Sequence, residues 1–115
     1  PDSCGYTGRY KGGPEERDRA YHQGTAWPFL SWPYLDLSQK AYPGMCKATL
    51  TEILYNCTSG FMDLDSNPCV GSVFEVASGD PPHSPGGAVA QAWSVSAAVN
   101  AHRLAARQGL KPEER

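Results

Sequence analysis

The sequence is short of most of the features that assign a chain to a class quickly. In its 115 residues no stretch approaches the roughly 18 to 20 apolar residues that a membrane-spanning helix needs. Positive charge is not in excess either. The formal net charge is −2, which leaves neither a basic footprint for nucleic acid nor a polybasic arm for an anionic membrane. The opening "PDSCGYTGRYKGGPEERDR" has no apolar core of the kind a secretory signal carries. Four cysteines, Cys4, Cys46, Cys57 and Cys69, are widely spaced and form no C-x-x-C pair or Cys/His cluster, so no metal site is expected. Reduced thiols are the expectation in the absence of a secretory signal, a disulfide pair being the alternative. No phosphate-binding glycine loop, nucleophile-elbow serine or H-E-x-x-H pair occurs. No cofactor is therefore expected, and no internal repeat is found.

What is present is helical periodicity interrupted by a long loop. Residues 1–20 are polar and rich in glycine, proline and charge, and read as loop. Over 25–42 a helix is expected, with Thr25 as N-cap, Pro28 in the first turn and a kink at Pro33. "YPG" at 42–44 should end it. Over 46–64, Cys46, Leu50, Ile53, Leu54, Cys57, Phe61 and Leu64 form one apolar face of a second helix. Residues 65–87 read as a long loop with a short extended piece around "VFEV", and loops of that length in compact domains are usually functional. A third helix, 88–106, is alanine-rich and nearly apolar all round in its first turns, which predicts burial on most sides. It requires more neighbours than two helices supply, so the chain reads as part of a larger helical domain. The fold class expected is all-α.

Polar and aromatic groups concentrate in two stretches, "YHQGTAWPFL" (21–30) and "FEVASGDPPHSPGGAVAQAWS" (74–94). Glu75, flanked by Val73, Phe74 and Val76, has the setting of a partly desolvated general acid or base, although a solvated loop glutamate has the same neighbours in sequence. In "GDPPH" two prolines stiffen the turn that carries Asp80 and His83, which suits either a binding loop or a plain turn. His22 and Gln23 are placed either to bond a ligand hydroxyl or to serve locally before a helix. Trp27 and Trp93 are candidates for core packing. Their polar neighbours also suit a sugar, whose flat C–H faces pack on indole while its hydroxyls meet carboxylates, amides and imidazoles.

Three segments, "GRY" (8–10), "RDRAYHQGTAWPFLSWPYL" (17–35) and "GSVFEVASGDPPHSPGGAVAQAWSV" (71–95), resemble in order and spacing the C-terminal part of bacterial and archaeal glycogen debranching enzymes, within the amylo-α-1,6-glucosidase domain. The resemblance implies the C-terminal segment of an (α/α)6 toroid of the six-hairpin glycosidase type. Residues 1–115 would supply about its last quarter, with 25–42 and 88–106 as inner helices and 46–64 outside. It implies a cytoplasmic glycoside hydrolase that removes α-1,6-linked glucose at branch points of glycogen or a related α-glucan by inverting hydrolysis. Such a reaction needs two carboxyl groups about 6.5–9.5 Å apart with a water between them. By this resemblance Glu75 is the general base, and the general acid lies upstream, in the remainder of the toroid. His22, Gln23, Trp27, Asp80, His83 and Gln91 then line the sugar pocket. The 115 residues alone would be inactive. The chain departs from the family pattern at Trp32, Phe74, Ser78 and Gly86. A non-catalytic glucan-binding module and a helical interaction fragment are the competing readings. Glu75 separates them, because a binding module has no use for a carboxylate in an apolar frame.

Overall fold

Regular structure begins inside the segment expected to be loop. In the computed structural model, which describes residues 5–45, 47–52 and 71–109, helix α1 spans Pro14–Ala20. Its signals are local. Pro14 occupies the first turn, where an N–H would have no intrahelical acceptor. Glu16 turns back so that its Oε2 accepts from the Gly13 N–H at 2.6 Å, one half of a capping box. Acids fill the first turn and Arg17 and Arg19 the last, matching the helix dipole.

The helix expected from Thr25 starts six residues later. Thr25–Ala26 is strand β1, Pro28–Leu30 a single 3-10 turn, and α2 runs Ser31–Ala41. Thr25 does have a capping function, at the opposite end of a different helix: its hydroxyl donates to the Ala20 carbonyl at 2.8 Å, at the C-terminus of α1. Because α2 begins at Ser31, Pro33 falls in its first turn, where proline is tolerated, and not in a helix interior where it would break a bond. The helix ends before the Tyr42-Pro43-Gly44 stop.

Strand β2, Val76–Ser78, lies between β1 and β3, Pro85–Gly86. Both pairings are antiparallel, Thr25 opposite Ser78 and Ala26 opposite Ala77 on one side, Val76 opposite Gly86 and Ala77 opposite Pro85 on the other. Strands of two and three residues are too short to show a period-2 pattern in sequence, which is why this small sheet was not expected in an all-α chain. Helices carry most of the regular structure among the described residues, α2 with 11 residues and the last helix with 16.

That last helix, α3, is Ala92–Arg107. It buries Ser94, Ala97, Ala98, Ala101 and Ala105, a single stripe at helical spacing. The small residues of this stripe let α2 and the 3-10 turn approach closely. Burial on most sides, expected from composition, is not what is found. Trp93 and Val99 are about half exposed, at 47% and 46%, because α2 and the 3-10 turn cover one face only. The core is completed by Ala20, Leu35, Leu50, Val73, Phe74, Val76 and Ala77. Of the helix expected over 46–64, residues 47–52 are helical and the rest lies outside the described residues, as do all four cysteines. No helix among the described residues is long and apolar enough to cross a membrane.

Candidate active site

The two polar-aromatic stretches meet across the β1–β2 pairing. Val73, Phe74 and Val76 are buried, whereas Glu75 between them is only half-buried. The apolar flanks therefore anchor the segment in the core and leave the carboxylate outside it. Glu75 is held on both oxygens. The Tyr21 hydroxyl donates to Oε1 at 2.5 Å, and the Ala88 N–H donates to Oε2 at 2.9 Å. The Glu75 N–H in turn donates to the Ala88 carbonyl at 2.9 Å. Gly87 makes this grip geometrically feasible. Its φ is +69°, and a Cβ there would lie 2.5 Å from Glu75 Oε2, so only glycine accommodates both the backbone and the carboxylate.

These contacts set the charge. The Tyr21 hydrogen bond, the Ala88 N–H and the Gln91 side chain hold the Glu75 carboxyl below the ordinary glutamate range, against a smaller opposing effect of burial. The same hydrogen bond, with burial and the nearby negative charge, pushes the Tyr21 hydroxyl up to about 12. Glu75 is thus an ionised acceptor and Tyr21 a permanent donor at neutral pH. A carboxylate offers about four lone-pair sites, and with Tyr21, Ala88 and Gln91 drawing on them about one remains for another donor such as water.

Aromatic rings surround this pair. Tyr21 packs edge-on to Trp27 with centroids 4.5 Å apart and lies 6.0 Å from Tyr10. His22 stacks on Trp27, nearly parallel, at 5.6 Å. Trp27 continues the chain of contacts to Phe29 and Trp93, at 6.0 and 6.2 Å. Its indole N–H donates to the Tyr21 carbonyl at 3.2 Å, which fixes the ring. Gln91 caps α3, its side chain accepting from the Ala92 N–H. Glu75, His22, Trp27 and Gln91 therefore belong to one neighbourhood, together with Tyr10, Tyr21 and Trp93.

Asp80, His83 and Gln23 belong to another. The Tyr6 hydroxyl donates to Asp80 Oδ1 at 2.9 Å, and the Asp80 N–H donates to the Gly8 carbonyl at 2.8 Å. His83 sits at φ 59°, its N–H donating to the Asp80 carbonyl and its Nδ1 lying 3.1 Å from the Ser78 carbonyl. The Gln23 carbonyl accepts from the Thr7 N–H at 2.6 Å and from the Thr7 hydroxyl at 3.1 Å. Asp80 fastens the segment 5–10 to the β2–β3 turn, Gln23 ties the same segment to the residues that follow α1, and His83 braces the turn itself. A shallow depression of about 620 Å³ lined by Ala41, Tyr42, Pro43, Gly44 and Met45 contains none of the candidate residues. Among the described residues no group of three His, Cys, Asp or Glu side chains converges closely enough to hold a metal ion.

An ionised carboxylate in an aromatic basin suits chemistry on a sugar, and comparison with known families bears on that directly. The family described as amylo-alpha-1,6-glucosidase matches residues 1–100. The chain belongs to that family. No curated protein sequence and no solved structure matches it. Membership of the amylo-alpha-1,6-glucosidase family makes this chain part of a glycogen-debranching type of glycosidase domain. The residues not anticipated as site members are Tyr21 and Tyr6, each the donor to a carboxylate. Both stood in the sequence as tyrosines beside noted residues, but a hydrogen bond between positions 54 or 74 residues apart leaves no local signal.

Proposed function

We propose that this chain is the end-piece of an inverting glycoside hydrolase that removes α-1,6-linked glucose from branch points of glycogen or a related α-glucan. Glu75 is the general base. One observation carries the reading: a carboxylate held ionised by Tyr21 and Ala88, yet with acceptor capacity left over, beside a run of aromatic rings. In the reaction Glu75 takes a proton from a water as that water attacks the anomeric carbon on the face opposite the leaving oxygen. A carboxylic acid elsewhere in the toroid, upstream of this chain, protonates the leaving oxygen. His22, Trp27 and Gln91 line the glucose site, with the Trp27 indole supplying a flat apolar face. Asp80, His83 and Gln23 act one step away by holding the loop. The (α/α)6 toroid and a cytoplasmic setting belong to the same reading.

The test uses the glucosidase domain that contains this chain. Glu75→Gln keeps the shape and removes the basicity. The expected fall in kcat is about 10²–10⁴-fold, the usual contribution of general base catalysis, with dextrin binding nearly unchanged. Proton NMR of the first product should detect β-glucose. Initial α-glucose, or a Glu75→Gln enzyme with normal kcat, overturns the assignment. Dextrin binding without turnover in the parent domain identifies a binding module instead.

A further inference from the structure

We infer that Tyr21 is the positioning residue for Glu75: its hydroxyl, locked by the surrounding rings, fixes which carboxylate oxygen is occupied and which face of the carboxylate is left for water. The inference rests on the reading of Glu75 as general base. A carboxylate on a free side chain rotates about its terminal bonds and presents either oxygen to any donor. Here that freedom is removed from two sides. Oε1 takes the Tyr21 hydroxyl at 2.5 Å, and Oε2 takes the Ala88 N–H at 2.9 Å and occupies the space that a side chain at Gly87 would need.

Tyr21 is itself immobilised. Trp27 and His22 meet its ring edge-on at 4.5 and 5.0 Å, and Tyr10 lies tilted to it at 6.0 Å. Its carbonyl is tied to the Trp27 indole N–H. Tyr21 also lies at the C-terminal cap of α1, its N–H bonded to the Asp18 carbonyl, so the position of the hydroxyl is inherited from a helix end and not from a free loop. A base that must meet a water and an anomeric carbon in line gains from such constraint, since misplacement by about 1 Å can cost about a hundredfold. The titratable group bonded to Glu75 is the Tyr21 hydroxyl, and Tyr10 and His22 pack against the Tyr21 ring. Among the described residues no lysine or arginine forms an ion pair with Glu75. Tyr21 is thus the main side-chain determinant of both its orientation and its charge.

Two measurements separate this inference from the reading beneath it. The first needs no turnover: the Glu75 side-chain carboxyl is titrated by carbon NMR in this chain and in its Tyr21→Phe variant. The variant retains the ring and its packing and deletes only the donor. Its Glu75 titration should move up from the parent's depressed position towards the ordinary glutamate range. An unchanged titration overturns the inference. If Tyr21→Phe does not fold, 3-fluorotyrosine at position 21, a stronger donor of the same shape, should move the Glu75 titration further down, and no movement is again fatal to the idea. The second measurement is the pH–rate profile of the glucosidase domain carrying Tyr21→Phe. The kcat should fall about 10- to 100-fold, as expected for one lost hydrogen bond to a charged group, KM should change little, and the acid limb should rise with the Glu75 titration. A titration that moves while the acid limb stays in place supports the positioning by Tyr21 and overturns Glu75 as the base.

Discussion

Glu75 and Asp80 flank the same short strand and are held in closely similar ways. Each carboxylate accepts a tyrosine hydroxyl, from Tyr21 and from Tyr6. Each also presses on a glycine: a Cβ at Gly87 would lie 2.5 Å from Glu75 Oε2, and one at Gly8 2.2 Å from Asp80 Cγ. The difference lies in what surrounds the pair. Around Glu75 stand aromatic rings that continue to the half-exposed Trp93, and its second donor is a backbone N–H in a loop. Around Asp80 stand backbone groups that it joins together: its N–H reaches Gly8 and its carbonyl receives the N–H of His83. One tyrosine–carboxylate pair is bordered by a run of aromatic rings, and the other joins two backbone segments. Residue type alone does not separate a carboxylate proposed for chemistry from one that fastens a loop; what surrounds it is the difference.

The sharpest break in this comparison is an exchange of amide for acid at each site. Glu75→Gln should lower kcat about 10²–10⁴-fold and thermal stability modestly through the weakened Tyr21 bond, whereas Asp80→Asn should lower the melting temperature more, and activity only as far as the loop loosens. Parallel calorimetry and rate measurements on the two variants check this. An Asp80→Asn domain of normal stability and abolished turnover would place Asp80 in the chemistry and dissolve the distinction.

Next in size is Gly8→Ala. The added methyl must displace the Asp80 carboxylate from Tyr6, and overpacking of this kind costs about 1–3 kcal/mol, visible as a melting temperature lowered by several degrees. Glucan binding at the Glu75 side should persist in the folded fraction.

The pH dependence of stability sharpens the comparison further. Glu75 has a lowered pKa, so the stability it contributes is present above the ordinary value of 4.5 and is lost as pH falls below it. Tyr21, raised from 10.0 to about 12, contributes stability that is complete below pH 10 and is lost as pH rises through about 12. Tyr6 is raised by Asp80 in the same direction. The difference in melting temperature between the parent and Tyr21→Phe should be flat across neutral pH and should shrink at both extremes. A difference that persists unchanged in strong acid argues against the Tyr21–Glu75 bond as its source.

The smallest effect belongs to His83. Its left-handed backbone, at φ 59°, costs a non-glycine residue roughly 1–2 kcal/mol. His83→Gly relieves that while losing the contact with the Ser78 carbonyl, worth about 1 kcal/mol. Stability should therefore change by no more than about 1 kcal/mol, with glucan binding intact. A large loss of binding at unchanged stability would return His83 to the sugar pocket.

How much of this was legible in the sequence depended on how local the cause was. The helical periodicity behind α2 and α3 and the stop at Tyr42-Pro43-Gly44 could be read directly. So could the concentration of polar and aromatic groups in two stretches, because each signal lies within one segment. Helix α1 was legible in principle from Pro14, the first-turn acids and the last-turn arginines, but glycine and charge in its neighbourhood read as loop. Thr25 looked like an N-cap because its side chain suits one. Its strand pairing with Ser78 and its bond to Ala20 depend on where distant residues arrive. The division of the candidate residues between Glu75 and Asp80 was hidden for the same reason. "GDPPH" declares a turn but not the identity of the segment that closes over it.

The register of Thr25 opposite Ser78 also has a consequence for the order of events during folding. The bonds Tyr21–Glu75, Tyr10–Ser78 and Tyr6–Asp80 span 54, 68 and 74 residues, and each alone would close a long loop at a high entropic cost. They are nested, however, so the cost falls once the innermost pairing exists. With β1 already against β2, the outer two need only bring in the short N-terminal segment, and closure entropy grows with the logarithm of the remaining loop. The site should therefore zip outward from the strand pairing. Glu75 would acquire its tyrosine at the first closure, and Asp80 would receive its own last.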